Sequence, residues 1–189
     1  MYSLLPNAVF LAKEYVTRVL GPGGRAVDAT AGNGHDTLFL ARLVGEEGRV
    51  YAFDVQRAAL DNTLARLQDA EADKQAELIL AGHEEMANYV TGGVDVVMFN
   101  LGYLPGGDHG RITRPQTTLV AIKEGLNLLK PGGLMTLVVY WGHAGGLEEA
   151  QAVDEMVAEL PQEEYAVARL SYLNRRQAPP YVIIIEKSR

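Results

Sequence analysis

The run Arg25-Ala26-Val27-Asp28-Ala29-Thr30-Ala31-Gly32-Asn33-Gly34-His35-Asp36 constrains the rest of the chain more than any other stretch. Residues 25–28 are short, apolar at Ala26 and Val27, and end on an acid, which reads as a buried strand. From Thr37 the pattern Thr37-Leu38-Phe39-Leu40-Ala41 turns helical. Between them two glycines flank an asparagine. Glycine allows a sharp turn and lets a ligand approach the backbone closely. The helix behind directs unpaired N–H groups and the positive end of its dipole over the loop. A cofactor bearing a carboxylate or a phosphate suits that place.

The remaining pattern supplies a sheet for this turn to stand in. Residues 4–20 carry Val9, Ala12, Val16, Val19 and Leu20 at helical spacing, with Pro6 placed in the first turn and Gly21-Pro22-Gly23-Gly24 closing the helix. The next helix covers about 36–44. Further strands are predicted over 49–54, 76–81, 94–100 and 134–140, and helices over 56–68, 83–89, 115–129 and 146–160. Two closing strands, 165–173 and 181–186, are joined by a loop too short for a parallel crossover, so they are antiparallel. The expected architecture is α/β: a seven-stranded, mostly parallel sheet with a C-terminal antiparallel hairpin and helices on both faces.

With 189 residues and 48% hydrophobic composition the chain suffices for one well-cored domain, expected over 1–189 with 1–24 as a leading helix and turn. That helix is expected to be exposed, and with the small size it makes a homodimer reasonable. A net charge of -7 argues against a surface that grips nucleic acid everywhere. Basic residues nevertheless gather locally, as Arg111 and Arg114 near the fourth strand and as Arg169, Arg175 and Arg176 near the end. Such loops on an acidic body fit a short RNA element. The absence of cysteine excludes disulfides, thiolate zinc and a cysteine nucleophile. No secretory pattern opens the chain, and the longest apolar run, 134–141, is too short to cross a bilayer, so a soluble, cytoplasmic protein is expected.

Thr37 stands where a dinucleotide fingerprint requires its third glycine, and no Gly-Lys-Ser/Thr phosphate loop is present. What stands instead is an acidic strand end, Asp28, the pair Gly32 and Gly34, and a second acidic strand end, Asp54, placed to accept from ribose hydroxyls. Asn33 and Asp36 are favoured helix caps. A cap needs one residue where the loop supplies two, which favours cofactor contact for both. Gln56 follows Asp54 closely. His83 and Glu84 follow the third strand. His35, His83, His109 and His143 show no ligand spacing, so no metal is expected. His143, close to the fifth strand, is a candidate substrate contact, whereas His109 reads as an exposed loop histidine.

These features resemble the class I S-adenosylmethionine-dependent methyltransferases, with their Rossmann-like sheet and closing hairpin. Four ordered runs, 28–37, 82–84, 100–107 and 140–146, look like the small bacterial family labelled "putative rRNA methylases". Members of that family have been assigned as tRNA methyltransferases acting on the aminomethyl group of the wobble 5-aminomethyl-2-thiouridine. The resemblance implies S-adenosylmethionine at Asp28, Gly32, Asn33, Gly34, Asp36, Asp54, Gln56, His83 and Glu84, with Asp28 facing the methionine amine and the third strand's end bordering the adenine. It also implies tRNA, engaged through its anticodon region, for which the charge distribution offers Arg111, Arg114, Arg175 and Arg176 as contacts and the position after the fifth strand offers His143. An rRNA methyltransferase, a small-amine methyltransferase and a nucleotide-binding protein without chemistry are the alternatives. Asn100-Leu101-Gly102-Tyr103 resembles the Asn-Pro-Pro-Tyr motif of amine methyltransferases, which makes Asn100 and Tyr103 the implied catalytic pair. The amide oxygen accepts from the target nitrogen and the ring packs on the base. Trp141 departs from the family, where a proline is expected.

Overall fold

The computed structural model describes residues 6–102 and 113–189. Helices α1 (Ala8–Val16), α2 (His35–Val44), α3 (Arg57–Asp69), α4 (Pro115–Leu128) and α5 (Gly146–Ala158) alternate with strands. The strands are β1 (Arg25–Asp28), β2 (Arg49–Asp54), β3 (Ala76–Leu80), β4 (Val94–Leu101), β5 (Leu129–Val139), β6 (Tyr165–Leu170) and β7 (Tyr181–Lys187), with 3-10 turns at Asp73–Gln75 and His83–Asn88. The sheet order is β3-β2-β1-β4-β5-β7-β6. Strands β1 to β5 run parallel, and β7 is antiparallel to both β5 and β6.

Period-two alternation along buried strands divides the core into two layers. Val97, Phe99, Met135 and Leu137 face one side with Ile122 of α4 and Val153 of α5, while Val96, Met98, Leu134 and Val138 face the other with Ala12 of α1 and Leu40 of α2. Both faces are covered, which is why the central strands read as continuous apolar runs.

Three expectations change. Helix α1 starts at Ala8 because Asn7 caps it, its Oδ1 accepting from the N–H of Phe10 at 2.9 Å; Pro6 precedes the cap and is outside the first turn. That helix is not an exposed appendage, since Ala8, Ala12 and Val16 are buried and it packs on β5 and β7. Strand β5 begins at Leu129, paired with Val94, and a register shift between Val94 and Val96 absorbs the Lys130-Pro131-Gly132-Gly133 run that looked like a loop.

Strand order reverses between β1 and β4. Open α/β sheets hold ligands in the crevice outside the carboxyl ends of the strands at such a switch point.

Candidate active site

A cleft of about 770 Å3 opens there. Its floor is the loop from Ala29 to Asn33, its sides carry Asp54, Gln56, His83 and Glu84, and its far end holds Asn100, Gly102 and Arg114. Val9 and Lys13 of α1 line it as well, Lys13 on the Asp36 side.

The loop is held mostly by its own chain. Asp54 accepts from the N–H of Gly32 at 3.0 Å and of Gln56 at 2.8 Å, one through each carboxylate oxygen. Each oxygen keeps a lone pair for a further donor. The carbonyl of Asn33 accepts from Arg66 Nε at 2.7 Å and its side-chain oxygen from Asn62 at 3.2 Å. Helix α2 is capped by Gly34 with no side-chain bond, so neither Asn33 nor Asp36 is its cap.

Gly34 does not line the cleft. Its φ is +77°, and a Cβ there would lie 2.8 Å from Thr63 Cα, so this glycine answers to the packing of α3. Asp28 also stands behind the loop. It is fully buried, accepts from Thr37 Oγ1 at 2.7 Å and from the N–H of Thr30 at 3.2 Å, and does not line the cleft as a residue facing a bound amine would. Burial first, and then the neighbouring Asp36 carboxylate, push its pKa up to about 7.

Asn100 ends up beside Asp36. Its backbone N–H donates to Thr30 Oγ1 at 2.8 Å, and its Nδ2 donates to Asp36 Oδ2. Lys13 Nζ lies 2.6 Å from Asp36 Oδ1. His83 is buried edge-on to Phe99, with ring centroids 5.8 Å apart, and donates to the carbonyl of Ala29. Burial lowers its pKa and keeps the imidazole neutral. The Glu84 carboxylate folds over Gly82, where a Cβ would meet it at 2.3 Å.

The residues expected to meet the acceptor are less concentrated. Arg114 is exposed at the start of α4, on the rim of the cleft. Tyr103, His109 and Arg111 lie outside the described residues. His143 does not line the cleft: its Nδ1 is 3.0 Å from the carbonyl of Ala144 and its ring packs on Gly146. Arg175 stacks on Tyr172 at 3.8 Å, and Arg176 is exposed. Arg169 is neutralised by Asp154 at 2.7 Å and leaves the basic group. Trp141 donates to the carbonyl of Pro179 at 2.9 Å, which ties the β6–β7 connection to the end of β5.

Sequence reasoning missed Lys13, Thr30, Thr113 and Glu149. Glu149, buried in the first turn of α5, accepts from Thr113 and Thr118 at 2.6 Å each. Thr113 in turn pairs with Gly102, its Oγ1 accepting from the Gly102 N–H at 2.9 Å and its own N–H donating to the Gly102 carbonyl at 3.0 Å. Among the described residues no three His, Asp or Glu side chains could hold a metal, and no helix is long and apolar enough to cross a membrane.

A sheet in this order, with an acidic β2 end facing a glycine loop at the switch point, is the Rossmann-like fold of the methyltransferases. The family model described as "Putative rRNA methylase" matches residues 50–186, and the chain belongs to that family. A solved structure with the same description, from Clostridium thermocellum, is 42% identical with a TM-score of 0.95, covering 97% of this chain and 98% of that one. A Streptococcus mutans methyltransferase solved in complex with SAH is 40% identical with a TM-score of 0.90, covering 97% and 99%. Among curated proteins, the chloroplastic tRNA (mnm(5)s(2)U34)-methyltransferase of Arabidopsis thaliana is 40% identical over 180 residues. That alignment takes in 90% of this chain, which spans 66% of the relative's length.

Proposed function

We propose that the protein is an S-adenosylmethionine-dependent methyltransferase that methylates the aminomethyl nitrogen of wobble 5-aminomethyl-2-thiouridine in tRNA. The observation that carries the acceptor is Asn100: an amide at the end of β4, inside the cleft, whose nitrogen is committed to Asp36 so that its oxygen is the end left to accept from an amine. The name of the Arabidopsis relative supports the nucleoside, and the SAH complex of the S. mutans relative supports the cofactor.

The cleft fits that cofactor. Asp54 retains two acceptor positions for the ribose hydroxyls, and Gly32, Asn33 and Gln56 border the same carboxylate. His83 and Glu84 at the end of β3 are assigned to the adenine, with Asp28 and Gly34 holding the loop from behind. When bound, S-adenosylmethionine supplies a methyl group already activated on a sulfonium. The protein's part is to hold an unprotonated nitrogen in line, about 3 Å away, and to keep water out. Asn100 does the holding, and burial of the amine against the cleft wall disfavours its charged form. Tyr103 is assigned to the base on the sequence motif alone and Arg111 to the RNA backbone on local basic charge alone, with Arg114, His143, Arg175 and Arg176 as the other RNA contacts. A cytoplasmic location and a homodimer belong to the same reading.

The test is methylation of tRNA from cells lacking the activity, with nucleosides identified by mass spectrometry. Label on the wobble aminomethyl group is expected. Label in rRNA, on a ring carbon or only on a free small amine overturns the assignment.

Two further results are expected. Asp54→Ala should weaken SAH binding by about 1.5–3 kcal/mol in calorimetry, since a charge-assisted acceptor is lost; unchanged affinity would place Asp54 outside the cofactor site. Replacing Arg175 and Arg176 together by alanine should weaken tRNA binding and flatten its salt dependence while SAH affinity and Tm hold. An unaltered salt slope would return both to the solvated surface.

A further inference from the structure

Asp36 was expected to touch the cofactor, yet its neighbours give it other work. One carboxylate oxygen receives Asn100 Nδ2, and the other lies 2.6 Å from Lys13 Nζ. Only 7% of Asp36 is exposed. We infer that Lys13 and Asp36 are positioning residues of the methyl-transfer step, acting through Asn100; this rests on the methyltransferase reading above.

A carboxamide turned by 180° keeps its shape and exchanges its chemistry. One face offers an acceptor to the amine, and the other offers two donors that compete with it. An ionised carboxylate only accepts, so Asp36 selects the orientation with Nδ2 toward itself and Oδ1 toward the substrate. Asp36 is nearly buried, and its second oxygen lies against a cation. Lys13 supplies the compensating cation. Tyr140, whose pKa is raised by burial and then by Asp36, brings no charge to the group. Lys13 is itself steadied by the Phe39 ring, 5.0 Å from its ammonium, and by α1, whose buried face is locked against β5 and β7. The leading helix is thereby part of the reactive site as well as a cover for the sheet.

Two readouts test this. In steady-state assays on tRNA, Lys13→Met and Asp36→Asn should each lower kcat by about tenfold or more, with SAH affinity within about twofold of wild type. Lys13→Arg should recover much of the rate by restoring the charge. In an Asn100→Ala background neither change should cost more than about twofold further, because both act through the missing amide. Losses that multiply in that background, or an SAH affinity that falls in step with kcat, overturn the inference. The second readout needs no substrate. The side-chain amide resonances of Asn100, assigned by their loss in Asn100→Asp, should be well separated and slow to exchange with water in the wild-type protein and should exchange faster in Lys13→Met and Asp36→Asn. Unchanged resonances in both variants overturn the positioning role even if the protein proves to methylate no tRNA, an outcome that would by itself sink only the functional proposal.

Discussion

Asn100→Ala is expected to reduce kcat for tRNA methylation by about 100-fold or more while SAH affinity moves less than about threefold. The strand end survives the change, because the bond from the backbone N–H of residue 100 to Thr30 Oγ1 does not involve the side chain. What disappears is the acceptor that orients the nitrogen, and misplacement by about 1 Å is enough for a loss of this size. The rate of both enzymes should rise with pH as the aliphatic ammonium loses its proton, because that titration belongs to the substrate. Parallel falls in kcat and in SAH affinity would move Asn100 to the cofactor half of the cleft.

Gly34→Ala is expected to destabilise the protein by about 2–5 kcal/mol, combining a left-handed backbone with overpacking. At φ +77° any Cβ is strained, and here it also meets Thr63 Cα at 2.8 Å. Because the obstacle is main chain, rotation of the Thr63 side chain cannot relieve it, and Thr63→Ala should not rescue the variant. Urea unfolding should show a lower midpoint with little change in slope. Wild-type stability combined with lost SAH binding would mean that the glycine serves ligand approach.

These two residues illustrate what could be read from the chain alone. The order of elements was legible because glycine and proline punctuate apolar runs, as at Gly21-Pro22-Gly23-Gly24 before β1 and Pro115 at the start of α4. That same punctuation misled at Lys130-Pro131-Gly132-Gly133, where a register shift lets strand pairing begin at Leu129. Asn33, Asp36, Asp54, Gln56, His83, Glu84 and Asn100 do meet in one cleft, since each follows a parallel strand at its carboxyl end. Asp28 and Gly34 lie in the same motif but face inward, and nothing in a one-dimensional pattern tells which side of a loop a carboxylate or a missing side chain serves. Lys13 and Glu149 were invisible for another reason. Each comes from a helix remote in sequence, where a lysine or a glutamate reads as solvated surface, and only the packing of α1 and α5 brings them to Asp36 and Thr113.

The place of β7 has a consequence for how the chain is made. Val182, Ile183 and Ile185 are buried in a strand flanked by β5 on one side and β6 on the other, and α1 packs on it from above. A chain leaving the ribosome exposes residues 181–187 after every other element described here. The strand synthesised after every other described element thus has an interior place in the sheet. Without β7 in place β5 presents an open strand edge, and the α1 that carries Lys13 loses one of the two strands it packs on.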